Sequence, residues 1–378
     1  MTEWKEYKLG DLIETNAKSI GKGYPYSKIL YLDTGSLTCN KIESLQECEI
    51  GEAPSRAKRM VRKEDIIYSS VRPDQLHYGF IKNPQDNLVV STGFVTITCN
   101  KAILYPKFLY YYLIQSQITE YLHSVAEAST TAYPSLRPSD IEALDIEIPP
   151  IYEQKRIAGV LSSLDDKIDL LNRENTTLEA LAETLFRHYF IENPNSTWEK
   201  GKLGELINIG SGKALKHSDF INEGLYPVLG ANGEIGRANE YLVNETDRVL
   251  YTGRVGTLGK IFRLEGERAW LSDNTLVIKP KCHFNYVYFL LKQANLQDLD
   301  VGSTQPLIRQ SDVVDMDVII PNDSIIDAFE NEVCPLFEKN KFNQQQIQTL
   351  AIQRDTLLPH LMYGEVKVNN KLHINTLV

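Results

Sequence analysis

The sequence is short of the features that mark a secreted, membrane-spanning or catalytic chain. Its five cysteines (Cys39, Cys48, Cys99, Cys282, Cys334) are odd in number, scattered and never in a CxxC pair. That argues against a disulfide framework and a zinc site, and it fits a reducing cytosol. The seven histidines show no metal spacing, and Cys282-His283 reads as packing rather than ligation. No apolar run approaches the roughly 18 residues of a membrane helix. The opening MTEWKEYKLGDL lacks the basic-then-apolar order of a secretory signal, so a cytoplasmic location is expected. Positive charge is also lacking. The net charge is −10, and residues 1–150 hold 16 basic against 19 acidic side chains, residues 151–197 hold 5 against 8, residues 198–322 hold 14 against 16, and residues 323–378 hold 5 against 7. Any contact with phosphate must come from local patches or from a basic partner.

Catalytic motifs are missing too. Gly210-Ser-Gly212-Lys213-Ala214 and Gly256-Thr-Leu-Gly259-Lys260-Ile261 both lack the upstream glycine and the Ser/Thr of a phosphate loop. Pro149-Pro150-Ile151-Tyr152 has Ile148 where an amino-methyltransferase needs a polar residue, and it reads as a strand exit into a helix start. No Ser/His/Asp order, HExxH or paired carboxylate stands out. The chain is expected to have no catalytic, cofactor or metal site of its own.

What is present is a duplication. Trp4-x-x-x-Lys8-Leu9-Gly10-Asp11-Leu12-Ile13 recurs as Trp198-x-x-x-Lys202-Leu203-Gly204-Glu205-Leu206-Ile207. Asp65–Tyr68 is echoed near Asp247–Tyr251, Ser91–Ile97 parallels Ser272–Ile278, and Leu136-Arg137-Pro138-Ser139-Asp140-Ile141 matches Ile308-Arg309-Gln310-Ser311-Asp312-Val313. The offset falls from 194 to 172 along the chain, so the first copy holds extra loop residues. A repeat of this length is a duplicated domain rather than a solenoid.

Each copy ends in a heptad pattern. Positions 157, 161, 164, 168, 171, 175, 178, 182, 185 and 189, and the same positions plus 172, are apolar in 16 of 20 cases, where a 42% background gives about eight. The seam residues are Ile157, Leu161, Leu164, Ile168, Leu171, Asn175, Leu178 and Leu185 in the first helix. In the second they are Leu336, Asn343, Ile347, Leu350, Leu357 and Leu361. The stripes read either as two helices packed on a globular core or, by the strictness of the period, as an antiparallel coiled coil of helices about 50 Å long. The antiparallel register pairs Ile157 with Leu361 and sets Asn175 opposite Asn343 as a polar layer. Pro335 should kink or restart the second helix and Pro359 should end it.

Between the helices lie mixed α/β domains. Asp65–Tyr68, Val89–Ile97, Val249–Tyr251 and Thr275–Ile278 read as short strands, and Pro106–Leu122 and Phe284–Leu296 as aromatic amphipathic helices. Tyr110, Tyr111, Tyr112 and Tyr121 read as packing rather than base-stacking groups. The fold class is mixed α/β (α+β): domains at 1–152 and 193–322, helices at 153–192 and 323–362, and a tail at 363–378.

In this arrangement the chain resembles the specificity subunit of type I restriction-modification systems over essentially its whole length. The likeness is carried by Trp4–Ile13 and its copy, by Ser129–Ile141, and by Ile148-Pro149-Pro150-Ile151-Tyr152-Glu153-Gln154-Lys155-Arg156-Ile157-Ala158. Leu164-Asp165-Asp166-Lys167-Ile168 and Gly253–Gly259 add to it; the second copy departs from it at Pro321-Asn322-Asp323, which lacks the Glu-Gln pair. The resemblance implies two target recognition domains, each reading half of a split, asymmetric site in double-stranded DNA. It implies helices that fix the spacer and dock two modification (methyltransferase) subunits, which bind S-adenosylmethionine and methylate adenine at N6. A motor-nuclease restriction subunit completes the restriction complex. The resemblance to a DNA reader directs attention to local basic groups. Arg56, Lys58, Arg59, Arg62 and Lys63 form the densest patch, either a solvated charged face or a loop tracking the duplex, and the loop is the expectation taken here. Arg72 and Tyr78 are second-tier candidates, and Lys213, Lys216, Asn232, Arg237, Arg254 and Lys260 are the diffuse equivalents in the second domain. A DNA-binding module of another defence or regulatory assembly, and a coiled-coil scaffold that binds no DNA, are the competing readings. Co-purification of a methyltransferase and salt-sensitive DNA binding separate them.

Overall fold

A computed structural model describes residues 4–21, 23–128, 135–302 and 305–368. Residues 129–134 of the Ser129–Ile141 run, and residues 369–378 of the tail, lie outside the described residues. The described α-helices are α1 (Pro106–Leu113), α2 (Ser116–Glu127), α3 (Pro138–Glu142), α4 (Ile151–Arg187), α5 (Leu203–Leu206), α6 (Phe284–Gln293), α7 (Gln310–Val314) and α8 (Asp323–Met362). The chain divides into two compact units, residues 1–170 with 346–378, and residues 171–345, so α4 and α8 each contribute one half to each unit.

In the first unit, Lys5–Lys8 pairs antiparallel with Asp145–Ile148. The repeated opening motif holds this pair together. Leu9 is buried with its N–H on the Leu144 carbonyl at 2.8 Å, Lys8 meets Asp145 at 2.6 Å, and a Cβ on Gly10 would stand 3.1 Å from Cβ of Glu142 in α3. Beside it lie two four-stranded sheets. One runs Ile13–Thr15, Phe94–Cys99, Ile66–Ser69, Tyr78–Phe80; the other runs Gln46–Glu49, Lys28–Leu32, Leu88–Ser91, Ala57–Met60.

The second unit repeats the plan. Glu199–Lys202 pairs with Asp317–Ile320, Lys202 meets Asp317 at 2.7 Å, and a Cβ on Gly204 would stand 2.6 Å from Cγ1 of Val314 in α7. Its four-stranded sheet runs Ile207–Ser211, Thr275–Pro280, Arg248–Gly253, Phe262–Glu265, and its three-stranded sheet runs Gly233–Ala238, Tyr226–Gly230, Trp270–Leu271. Among the described residues each unit has one parallel pairing, Lys28–Leu32 with Leu88–Ser91 and Tyr226–Gly230 with Trp270–Leu271. Asp65 and Asp247 close the same turn, accepting from the N–H groups of Arg62 (2.7 Å) and Asn244 (3.1 Å). The edge strand Ala57–Met60 has shrunk in the second unit to a single bridge, Val243 with Ala269.

Two expectations change in detail. The β-branched run Val89–Ile97 is two strands in different sheets, Leu88–Ser91 and Phe94–Cys99, with the switch at Thr92-Gly93. The aromatic helix Pro106–Leu122 breaks into α1 and α2, and Phe284–Leu296 ends as α6 at Gln293. Tyr110 and Tyr111 are buried and Tyr121 is exposed.

The long helices finish each core. In the first unit Ile157, Leu161, Leu358 and Leu361 pack with Phe108, Leu109 and Tyr111. In the second, Ala182, Phe186, Phe329 and Val333 pack with Tyr286, Val287 and Phe289. Every seam position is buried or half-buried, while Leu170, Leu181, Phe342 and Ile352 between them are exposed. The pairing is antiparallel within each unit, with Arg354 on Asp165 at 2.9 Å in the first and the Tyr189 and Phe329 rings 6.0 Å apart in the second. Asn343 Nδ2 donates to Asn175 Oδ1 at 2.9 Å and to Glu174 Oε2 at 3.0 Å. Asn343→Leu is expected to cost about 1–3 kcal/mol, because Asn175 loses its buried partner. Asn175→Leu with Asn343→Leu should recover that loss, a contrast that urea titration reads directly.

Pro335 does not restart the second helix, and Pro359 does not end it at once. Helix α8 runs unbroken through Pro335 and past Pro359 to Met362. The residues four positions earlier, Asn331 and Asp355, are both exposed, on the side of the helix where a carbonyl that loses its helical donor is open to solvent.

Candidate nucleic-acid interface

The five-base patch is not one surface. Lys58 and Arg59 lie on the strand Ala57–Met60, where a bulge against Val90/Ser91 leaves Lys58 without a partner in Leu88–Ser91; its side chain is exposed and its carbonyl holds the Ile20 N–H at 2.8 Å. This is a strand rather than the expected loop. Arg59 is half-buried, with a buried Nε that has no partner among the described residues. Arg56 precedes the strand, exposed, with its carbonyl holding the Thr92 N–H at 2.8 Å. Arg62 and Lys63 follow it in the turn closed by Asp65, beside Glu64 and Lys101. Asp65 is buried, and that burial raises its carboxyl pKa. Strand Ile66–Ser69 runs from this turn to the opposite rim of the sheet.

That rim gathers Arg56, Thr92-Gly93, Thr34 and the loop from Ser70 to Leu76. Ser70 N–H and Oγ both bond the Gly93 carbonyl, at 2.8 and 2.9 Å. A Cβ on Gly93 would stand 2.9 Å from Cγ2 of Thr34. Arg72 is exposed on this loop with φ 47°, left-handed and directly before Pro73, and Leu76 repeats the left-handed turn at φ 57°. A non-glycine residue in that region, and before proline, is strained. The loop holds it by bonds from Gln75 N–H to the Arg72 carbonyl (3.0 Å) and Leu136 N–H to the Ser70 carbonyl (2.7 Å). Tyr78 is not part of this surface. It is 8% exposed, its ring is stacked on Tyr68 at 6.0 Å, and its hydroxyl meets Cys39 Sγ at 3.8 Å.

The equivalent rim of the second unit is built from the same joints. Ile308 N–H bonds the Arg254 carbonyl at 3.0 Å, as Leu136 bonds Ser70, and Val255 bridges to Leu307 as Val71 bridges to Ser135. Arg254 is half-buried and donates to Ser211 Oγ at 3.3 Å, and Gln310 reaches the same hydroxyl at 2.8 Å. Asn232, in a two-residue hairpin turn, donates to Thr257 Oγ1 at 3.0 Å. Lys213 is exposed on the same edge, held by its N–H to the Leu271 carbonyl at 2.9 Å. The structure thus brings Lys213, Asn232 and Arg254 together.

The other three stand apart. Arg237 is a structural residue, with its guanidinium on the Gly224 carbonyl (2.7 Å), the Leu225 carbonyl (3.1 Å) and Glu234 (3.3 Å). Lys260 lies 4.7 Å over the Phe262 ring, and Lys216 is exposed before a short 3-10 turn. Sequence reasoning missed Ser211, Thr257 and Gln310, neutral residues that only their convergence on one rim could reveal. No membrane-length apolar helix and no cluster suited to a metal ion occurs among the described residues.

Two signature residues prove internal. Gln154 is fully buried, donating to the carbonyls of Ile103 (2.9 Å) and Pro149 (2.8 Å) and accepting from Tyr105 N–H (2.8 Å). The second unit, which lacks this glutamine, uses Glu330 to accept from Asn285 Nδ2 (2.7 Å) and Tyr286 N–H (2.9 Å). Asp165 takes the Tyr111 hydroxyl at 2.6 Å and Arg354 at 2.9 Å.

A family model described as the type I restriction modification DNA specificity domain matches residues 1–180 and again residues 195–350. The HindI specificity subunit of Haemophilus influenzae is 25% identical, aligned over 97% of this chain and 100% of its own length. The MjaIX specificity subunit of Methanocaldococcus jannaschii is 27% identical over 97% of this chain and 89% of its own. The crystal structure of the type I restriction-modification S subunit from M. genitalium shares the fold, with TM-score 0.56 at 19% identity, covering 95% of this chain and 96% of that one. The chain therefore belongs to the type I restriction-modification DNA specificity family, as two tandem copies of its domain, and DNA sequence recognition is its role.

Proposed function

We propose that each rim reads one half of a split, asymmetric site in double-stranded DNA. In this reading α4 and α8 fix the spacer and dock two modification subunits, with a restriction subunit joining the same assembly in the cytoplasm. The modification subunits bind S-adenosylmethionine and methylate adenine N6 on a base extruded into their own pocket. This chain supplies recognition and alignment and holds no cofactor. The observation that carries the reading is that the loop after the corresponding inner strand bears an arginine in each unit, Arg72 two residues beyond Ser70 in the first and Arg254 at the position of Ser70 in the second. Arginine on a protruding loop suits bidentate contact with guanine or a fork on phosphate. The negative net charge fits a reader whose partners contribute part of the phosphate contact.

Methylation mapping of host DNA, with and without this chain, tests the whole reading. Loss of one bipartite N6-methyladenine motif supports it, and an unchanged methylome rejects it. A finer expectation separates the two ends of the first domain. Arg72→Ala should weaken DNA binding by the assembled complex by about 1–3 kcal/mol if it reads a base, or lower the salt slope by about one if it meets phosphate. Arg62→Ala, at the far end of the strand, should do neither. Anisotropy titrations at two salt concentrations decide it, and equal behaviour of the two variants would remove the rim from consideration.

A further inference from the structure

The first domain is fastened to α4 by buried or half-buried polar groups at two levels of the helix. One is Gln154, at the helix start. The other is Asp165, eleven residues on and so about 16 Å along the axis. Between them the contact is apolar, made by Ile157, Ala158 and Leu161 against the domain core. Apolar packing holds two surfaces together but resists sliding less than directional bonds do. Asp165 joins three elements. Its Oδ2 accepts from Tyr111 in α1 and its Oδ1 from Arg354 in α8, while Arg354 turns its other nitrogens to Asp355 at 2.8 Å. With both oxygens engaged and its side chain only 29% exposed, Asp165 has little left to offer a partner protein. Next to it, Asp166 takes Lys82, just past strand Tyr78–Phe80, at 2.9 Å. The second unit is built differently at the same place. The repeat puts Phe289 where Tyr111 stands, Phe337 where Asp165 stands and Ala182 where Arg354 stands. There the Phe289 and Phe337 rings lie 6.0 Å apart, and the phenol–carboxylate contact passes instead from Tyr288 to Glu179 of α4 at 2.9 Å.

We propose that Asp165 is a positioning residue that sets the attitude of the first recognition domain on the helix pair, and with it the spacer length between half-sites that the complex accepts. The inference rests on the split-site reading above. With Asp165 neutralised, that end of the contact keeps only the exposed Lys82–Asp166 ion pair, a weak tether, so Gln154 becomes the pivot and the rim can swing. One base-pair step is about 3.4 Å. A tilt of roughly 10° covers it at a lever of about 20 Å, the depth of two packed layers.

The test is methylome mapping in cells carrying the full chain as wild type, Asp165→Asn or Tyr111→Phe. Tyr111→Phe removes one hydroxyl and keeps the ring, so it serves where Asp165→Asn disturbs folding. Both variants are expected to keep the bases of each half-site and to methylate sites whose spacer is one base pair longer or shorter at least tenfold more often than wild type. Variants that methylate only the wild-type spacer, at full or reduced frequency, would overturn the positioning role, since a merely stabilising contact lowers occupancy without widening the spacer. A wild-type chain that yields no bipartite motif would instead refute the split-site reading itself.

Discussion

Arg263→Ala should destabilise the second unit by about 3–5 kcal/mol, the range for removing one member of a buried ionic cluster. Arg263 follows Phe262 on the outer strand of the second four-stranded sheet, and its side chain is 15% exposed. Burial lowers its pKa, so the fold holds a charge in a site that disfavours charge. Compensation comes from Glu265 at 2.6 Å, Asn285 Oδ1 at 2.7 Å, and the rings of Phe337, Tyr288 and Phe284 at 3.5, 4.9 and 5.0 Å from the guanidinium carbon. Alanine removes the stacking plane on α8, strips Asn285 of its donor and opens a cavity among three rings. Glu265 keeps Arg248 at 2.8 Å, which limits the loss. Arg263→Lys should recover little, because an ammonium neither stacks flat nor forks. Urea unfolding and hydrogen exchange resolved by unit read the effect. A loss below about 1 kcal/mol would show the cluster to be incidental.

Gln154→Leu should cost the first unit about 2–4 kcal/mol, although it swaps one buried side chain for another of similar size. The glutamine makes three bonds to main-chain groups, and no water is in reach of a residue that is 0% exposed. Leucine leaves two carbonyls and one N–H buried without partners, and the penalty is set by those orphans rather than by packing. Gln154→Glu should be at least as harmful, since a carboxylate cannot donate to Ile103 and Pro149. The loss should appear as faster exchange in residues 103–113 and 149–161 with the second unit unaffected. Exchange at the wild-type rate in those segments would show that the signature glutamine serves something other than the fold.

How much of this was legible beforehand follows from the range of each interaction. The heptad seam was legible because a helix repeats its environment every three or four residues, and two runs of ten positions average out exceptions such as Arg354. The duplication was legible at Lys8 and Lys202 because the same clasp selected the same residues twice. The charged patch misled because a strand carries its side chains about 3.3 Å apart per residue. Arg56 and Lys63, close in sequence, therefore end on different rims. Tyr78 and Arg237 misled because a side chain's type does not say whether it faces the core, a loop carbonyl or solvent. The sheet switch at Thr92-Gly93 was hidden inside one continuous β-branched run, and its only trace was a glycine. Pro359 was overread, because a proline whose preceding turn is exposed does not at once stop a helix that is packed along its other face.

The asparagine pair has a consequence for the pairing of the duplicated halves. If α4 lay against α4 of another copy in the same register, Asn175 would meet Leu171, and if α8 lay against α8, Asn343 would meet Ile347. Either like-with-like dimer buries two lone amides against hydrocarbon, whereas the unlike pair buries them against each other. With asparagine at these two positions and leucine and isoleucine at their counterparts, each helix is a poorer mate for its own twin than for its sibling, and the pair favours one copy of each half over two copies of either.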